Sequence, residues 1–322
     1  ADALAQRLLD LVQGQPDTGF AVEGHFVRGT MASHRGDFLT ARAHLEHSCR
    51  LADTLPSPVP LLRGGFVSGV TPRTALARVL WALGYAEQAR QRSQEALTLA
   101  REGDHIPTLA YAAYFVALVC QCRRDVAATQ AHADALLAVA ATHRLPLRTE
   151  QGRLLRGWAL DMQGEVAAGV AHLRQALASP DVGPEWLRSY WLAALAEAYG
   201  RAGQPQAGLQ VLAEAATLMA TTEARWWEAE VARLQGVLLR HLPSPDVPQA
   251  EAAFLRALDV ARRQQAKALE LRAALSLSQL WLAQGKRDQA RALLTPIYGW
   301  FTEGFDTADL QDAHALLETL GG

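Results

Sequence analysis

One pattern of apolar and polar positions recurs along the chain: an apolar stretch of helical length, a short turn that usually holds Gly, and a second helix with small residues at fixed offsets. Leu83-Gly84-Tyr85-Ala86-Glu87-Gln88-Ala89, Gln163-Gly164-Glu165-Val166-Ala167 and Ala202-Gly203-Gln204-Pro205-Gln206-Ala207-Gly208 are clear copies, as are the stretches around Gly36 and Gly285. Arg123 to Ala128 and Pro245 to Ala250 are degenerate copies. Taking the turns at 36, 84, 123, 164, 203, 245 and 285 gives intervals of 48, 39, 41, 39, 42 and 40. Five residues after each turn stands Ala or Gly (Ala41, Ala89, Ala128, Gly169, Gly208, Ala250, Ala290), and seven further on usually Ala again (Ala96, Ala135, Ala176, Ala215, Ala257). A bulky residue lies between them as Leu45, Leu173, Leu212, Phe254 or Leu294. A spacing of seven keeps both small residues on one helix face, where a missing side chain lets a neighbouring helix approach.

The pattern breaks in four places. Residues 55–71 hold three prolines and three glycines before Pro72, too many for a continuous helix, and predict an irregular loop with Thr71-Pro72 starting the next helix. Residues 241–248 predict an insertion that lengthens a turn, and 307–320 a C-terminal capping helix whose Asp312 and Glu318 face solvent. Residues 1–13 read as an amphipathic helix, the second helix of a truncated preceding repeat, with Leu4, Leu8 and Leu11 in need of a partner.

Composition narrows the class. Half of the 322 residues are hydrophobic, about a fifth are Ala and only 7% are aromatic, which favours helices over a large sheet. The 31 Lys and Arg against 33 Asp and Glu give a net charge of −2, against both a disordered tail and a basic nucleic-acid surface. Three cysteines, Cys49, Cys120 and Cys122, are an odd number in a chain long enough to fold without staples; they read as buried thiols in a reducing cytoplasm. The longest apolar run, Leu109 to Cys120, is 12 residues, too short for a bilayer, so no membrane partner is expected. The start at Ala1, with no signal sequence, reads as a piece cut from something larger.

Gly at the turn, a small residue five on, a bulky one nine on and Ala twelve on resembles the tetratricopeptide repeat, at a longer period than its usual 34 residues. The longer period is like that of the extended repeats in large bacterial signalling ATPases and maltose-regulator-type activators. The stretch from Arg262 to Arg272, continuing through Tyr298 to Asp306, is similar to the C-terminal helical region of bacterial adenylate/guanylate cyclase-like proteins. The resemblance implies an ATPase- or cyclase-type domain upstream that carries the nucleotide chemistry and is absent from this chain. The fold expected over 1–322 is a single all-α unit, a right-handed α-solenoid of about seven antiparallel helix pairs. An elongated body of this kind exceeds the radius of gyration of about 20 Å of a compact globule of the same length.

No catalytic, metal or cofactor motif is present: no phosphate loop, no dinucleotide fingerprint, no His-Glu-x-x-His. Gly64 to Gly69 places Ser68 in a glycine-rich loop but lacks the nucleophile-elbow spacing. His44 and His47 share a helix face, but two imidazoles do not make a zinc site. Trp81, Trp191, Trp226 and Trp281 read as core. In a solenoid of helix pairs, first-helix residues six and thirteen before each turn should face the concave groove. That rule selects Trp158 and Gln151, Glu197 and Tyr190, Gln279 and Arg272; alignment on Gly236 adds Glu230 and Arg233. The chain therefore reads as a non-catalytic binding module of a bacterial signalling protein, with a protein, peptide or small effector as partner and no nucleic acid. An enzyme with its site in the groove or under the 55–71 loop, and a scaffold self-associating through residues 1–13, are the alternatives.

Overall fold

The computed structural model describes residues 18–55 and 65–321, together with Arg7. The helix expected over 1–13, Arg7 apart, and residues 56–64 of the expected loop lie outside the described residues. Every regular element among the described residues is an α-helix. They form seven successive pairs: α1 (Thr18–His34) with α2 (Phe38–Ala52), α3 (Val70–Ala82) with α4 (Ala86–Glu102), α5 (Ile106–Cys122) with α6 (Val126–His143), and α7 (Pro146–Met162) with α8 (Val166–Leu177). The remaining three are α9 (Glu185–Arg201) with α10 (Pro205–Thr222), α11 (Glu228–Arg240) with α12 (Val247–Arg263), and α13 (Lys267–Ala283) with α14 (Arg287–Tyr298). A last helix, α15 (Ala308–Gly321), follows. Helix α3 begins one residue before the expected Thr71, with Gly69 as its left-handed N-cap. The 241–248 insertion is a turn that ends where the Asp246 carboxylate accepts the Gln249 amide at 3.0 Å and starts α12.

The same chain reversal closes most pairs. One residue with positive φ follows the first helix, and the next amide reaches back five residues, as in Tyr85 to the Leu80 carbonyl (2.8 Å) and Lys286 to Trp281 (2.8 Å). In the third pair the left-handed residue is Arg124 (φ 59°), with the Asp125 amide bonded to the Cys120 carbonyl at 3.0 Å. The turn is thus at 124, not 123, and the flanking intervals to Gly84 and Gly164 become 40 and 40. The packing stripe shifts with it: Thr129 and Leu136 are fully buried, whereas Ala128 is half-buried and Ala135 exposed. Elsewhere the small-large-small face is the helix contact, with Ala41, Leu45, Ala250, Phe254, Ala257, Ala290 and Leu294 all at 0% exposure.

A partner position on the first helices went unread in the sequence. Seven residues before the turn stands Gly29, Ala77, Ala117, Gly157, Ala196 or Ser278, and Gly236 takes the same part in α11. These small residues receive the bulky residue of the second helix. A Cβ on Gly29 would lie 2.6 Å from Leu45 Cγ, and one on Gly236 would lie 2.6 Å from Phe254 Cε1.

The ends of the stack meet, which corrects the expectation of an elongated body. Glu303, after α14, accepts the backbone amides of Glu87 (2.8 Å) and Gln88 (3.0 Å) at the start of α4. That helix has no side-chain cap of its own, so a residue more than 200 positions away supplies the anion its N-terminus favours. Arg123 donates to Asp306 (3.0 Å), Arg124 to Asp309 (3.2 Å) and Asp312 (2.6 Å), and the Trp226 amide to the His34 carbonyl (3.0 Å). Gly84 admits Trp300, whose ring would lie 2.6 Å from a Cβ there. Asp312 is exposed, as expected, and its carboxylate also pairs with Arg124 across this seam. The chain exposes 14013 Å², close to the roughly 13,000 Å² of a compact monomer of this mass.

The axis is filled rather than open. Trp81, Trp191 and Trp226 are buried core residues, whereas Trp281 is half-buried and donates to Glu251 at 2.8 Å. Trp81 stacks near Trp227 (5.7 Å), Trp227 meets Tyr190 (4.6 Å), Tyr190 stacks on Trp226 (5.2 Å) and Trp226 meets Trp186 (6.1 Å). Five rings thus form a partition inside the superhelix, supplied by first helices and by the turn before α11.

Candidate functional site

The inner wall bounds a cavity of about 210 Å³ on one side of this aromatic partition. Trp158 (α7), Tyr190 and Glu197 (α9), Glu230 and Arg233 (α11), and Arg272 and Gln279 (α13) all line it. Seven of the eight groove candidates therefore meet in one place, because six and thirteen residues before the turn is one helical face repeated on neighbouring first helices. Gln151 lies elsewhere: it is buried and accepts a hydrogen bond from Arg148 at 2.5 Å. The cavity also takes Arg124 from the α5–α6 turn, Arg201 from the end of α9, and Asp309 and Asp312 from α15. These four escaped the offset rule because they sit at turns, at a helix end and on the unpaired last helix.

The charges alternate. Arg272 donates to Asp309 (2.8 Å) and to the Cys122 carbonyl (2.7 Å), lies 3.6 Å from Glu230, and stacks over the Trp81 ring at 5.1 Å. Arg233 binds Glu230 through two N–H groups (2.9 and 2.7 Å) and reaches Ser276 (3.3 Å). Arg201 grips the fully buried Asp161 with two nitrogens and lies 3.4 Å from Glu197, which Arg233 approaches at 3.7 Å. Four arginines thus face Glu197, Glu230, Asp309 and Asp312 across the lining, a balanced and strongly polar wall.

Burial acts to raise the Glu197 carboxyl pKa, but the charges of Arg201, Arg233 and Arg272 outweigh it and hold it below the usual carboxylate range. Burial likewise acts to lower that of Arg272, and Asp309 with Glu230 reverses the effect, leaving it raised. Glu197 and Arg272 are therefore held in their ionised forms. Tyr190 is pushed well above the ordinary phenol value by burial; its hydroxyl donates to Gln121 at 2.7 Å. Burial pushes the Cys122 thiol up to about 12, and Cys49 and Cys120 to about 11, so none is a thiolate near neutral pH.

These contacts divide the candidates. Arg272, Arg233 and Glu230 are occupied with one another and brace the wall; Tyr190 and Trp158, 3% and 4% exposed, form the floor. Glu197, with 31% of its side chain exposed, and the exposed Gln279 keep polar atoms turned to solvent. Elsewhere, His25 joins His44 (2.9 Å between Nδ1 atoms) and packs edge-on to His47, but among the described residues no group of three His, Cys, Asp or Glu is arranged to hold a metal ion. The Ser68 hydroxyl is buried without a hydrogen-bond partner, so no base activates it. No helix among the described residues is long and apolar enough to cross a membrane.

No family model matches the chain, and no curated protein matches its sequence. Solved structures do share its fold. It is similar to a Rap protein complexed with competence and sporulation factor, at 11% identity over 99% of this chain and 82% of that one, with a TM-score of 0.67. It also resembles the Rap conjugation gene regulator of plasmid pLS20 in complex with the Phr* peptide, at 11% identity over 96% and 77% and a TM-score of 0.64. Aspartyl phosphate phosphatase F from Bacillus subtilis superposes at 0.56, with 10% identity over 94% and 75%. At such identities the likeness is one of fold, and the fold is a tetratricopeptide-like helical solenoid.

Proposed function

We propose that this chain is a non-catalytic recognition module, the sensing arm of a larger bacterial signalling protein. Its ligand is a small zwitterionic effector or one end of a short peptide, held in the axial cavity. The observation that carries this reading is the convergence of seven same-face residues from four first helices on one cavity walled by alternating Arg and carboxylate groups over an aromatic floor. A wall with both signs of charge pairs best with a ligand that has both, since a ligand of one sign would leave buried charges facing it unmatched. At about 210 Å³ the cavity suits one or two residues rather than a long segment. Two of the structures that share the fold were solved with a bound factor or peptide, which supports recognition as its use. An upstream ATPase or cyclase-type domain as the output rests on the resemblance of residues 262–306, and the full-length gene product tests it.

Glu197 and Gln279 are assigned to reading the ligand, and Arg272 to bracing. Free amino acids and dipeptides titrated against the whole chain, followed by Trp fluorescence and thermal unfolding, should reveal a binder. Glu197→Gln and Gln279→Ala should each weaken it about tenfold, a loss of about 1.4 kcal/mol, and Gln279→Ala should do so with little change in unfolding midpoint. Arg272→Met should instead lower the midpoint. Failure of every probe to bind, or binding that Glu197→Gln leaves intact, would sink this assignment.

A further inference from the structure

A second group of polar side chains lies beyond the aromatic partition, away from the paired arginines. Arg78 of α3 is 9% exposed, and its guanidinium carbon stands 4.8 Å from the centre of the Phe115 ring and 4.9 Å from that of Trp186. None of the described residues forms a hydrogen bond or ion pair with it, and its Nε is buried without a partner. The cavity arginines differ in kind: each has a carboxylate within 3.2 Å. His34, stacked at 4.1 Å on Trp186, likewise has Nε2 buried without a partner. Around them, Glu23 of α1 and Arg148 of α7 both act on the neighbouring Tyr111.

Stacking on rings uses the flat faces of a guanidinium and leaves its N–H edge, the part that binds an acceptor in a planar fork. An isolated buried cation costs several kcal/mol, so an arginine kept here without a carboxylate implies an acceptor that arrives from outside. We propose that Arg78, which shares the Trp186 ring with His34, is the binding site for an oxyanion: a ligand carboxylate or phosphate group received edge-on by the guanidinium. The site stands on its own observations and does not depend on the reading of the axial cavity.

The test uses the whole chain with sodium phosphate and N-acetylglycine as separate probes, and sodium chloride at matched ionic strength as control. At least one probe should raise the unfolding midpoint in a saturable way and perturb Trp fluorescence, and the stronger of the two tells phosphate from carboxylate. Arg78→Met should weaken that probe at least tenfold and, without ligand, unfold at the same or a higher temperature, because it removes an unpaired buried charge. Arg201→Lys, in the axial cavity, should leave the affinity within twofold. Arg78→Lys, which keeps the charge and loses the fork, covers the case in which the Met variant does not fold, and should also weaken binding. The proposal is overturned if neither probe acts beyond the chloride control, or if the Arg78 variant that folds binds as tightly as the parent.

Discussion

A methyl group in place of one hydrogen separates an alanine from Gly236, and the packing of the sixth pair depends on its absence. The added methyl would sit 2.6 Å from Phe254 Cε1 and 2.9 Å from the Ala250 carbonyl oxygen. The ring is fully buried and the carbonyl is helix backbone, so neither can move cheaply. Overpacking of this sort costs about 1–3 kcal/mol, more than the ~1 kcal/mol that Ala gains over Gly in a helix. Gly236→Ala should therefore lower stability by up to about 2 kcal/mol in urea unfolding, and a stabilised variant would refute this packing account. The second-helix stripe was legible in the sequence because it repeats Ala, a bulky residue and Ala at fixed offsets. The first-helix half was not, because Gly, Ala and Ser alternate there in helices already rich in small residues. Arg124 shows the same limit: a left-handed arginine carries none of the glycine signature that marked the other turns.

Helices α2, α6 and α12 begin with an aspartate whose carboxylate accepts an amide of the first turn. Helix α4 begins at Tyr85 and is capped instead by Glu303. Replacing that carboxylate with an amide keeps the shape and removes the charge that favours a helix N-terminus, worth about 1 kcal/mol. Glu303→Gln should lower the unfolding midpoint modestly. Glu303→Ala should also speed hydrogen exchange of the Glu87 and Gln88 amides, and that local readout separates a cap from a merely surface residue. Such a contact has no trace in the sequence of either segment, since nothing local says that residues 87 and 303 meet. Periodicity predicts which helices form and which neighbours they touch; it does not give the superhelical rise and twist that decide whether distant pairs come together.

For the molecule as a whole, closure changes what the inner face is. The sequence offsets led to eight residues, of which all but Gln151 meet, because a repeated helix face is a local property. That they meet around a small cavity instead of along an open groove follows from the seam and the aromatic partition, which the offsets did not reveal. The seam also makes stability pH-dependent. Burial, with the Arg78 charge adding to it, lowers the His34 pKa from 6.5 to about 3. The neutral ring is favoured in the folded chain, so its contribution is complete above pH 6.5 and is lost as pH falls from there toward 3. At pH 5 the loss is about 2 kcal/mol. Urea midpoints at pH 7 and pH 5 should show this drop. His34→Phe, which keeps the stacking on Trp186, should reduce it, leaving the part due to His25, whose pKa is also lowered by burial and its neighbouring charges, and an unchanged slope in that variant would rule His34 out as a source.

Arrays of helix pairs ordinarily tolerate gain or loss of a unit, because each pair touches only its neighbours. Here the capping glutamate, the Arg123–Asp306 bridge and the fit of Trp300 against Gly84 require a fixed number of pairs between the two edges. An eighth pair inserted anywhere between α4 and α14 would carry Glu303 past its amides and leave both edges unmatched. Copy number, free to drift in an open stack, is in this chain part of the fold.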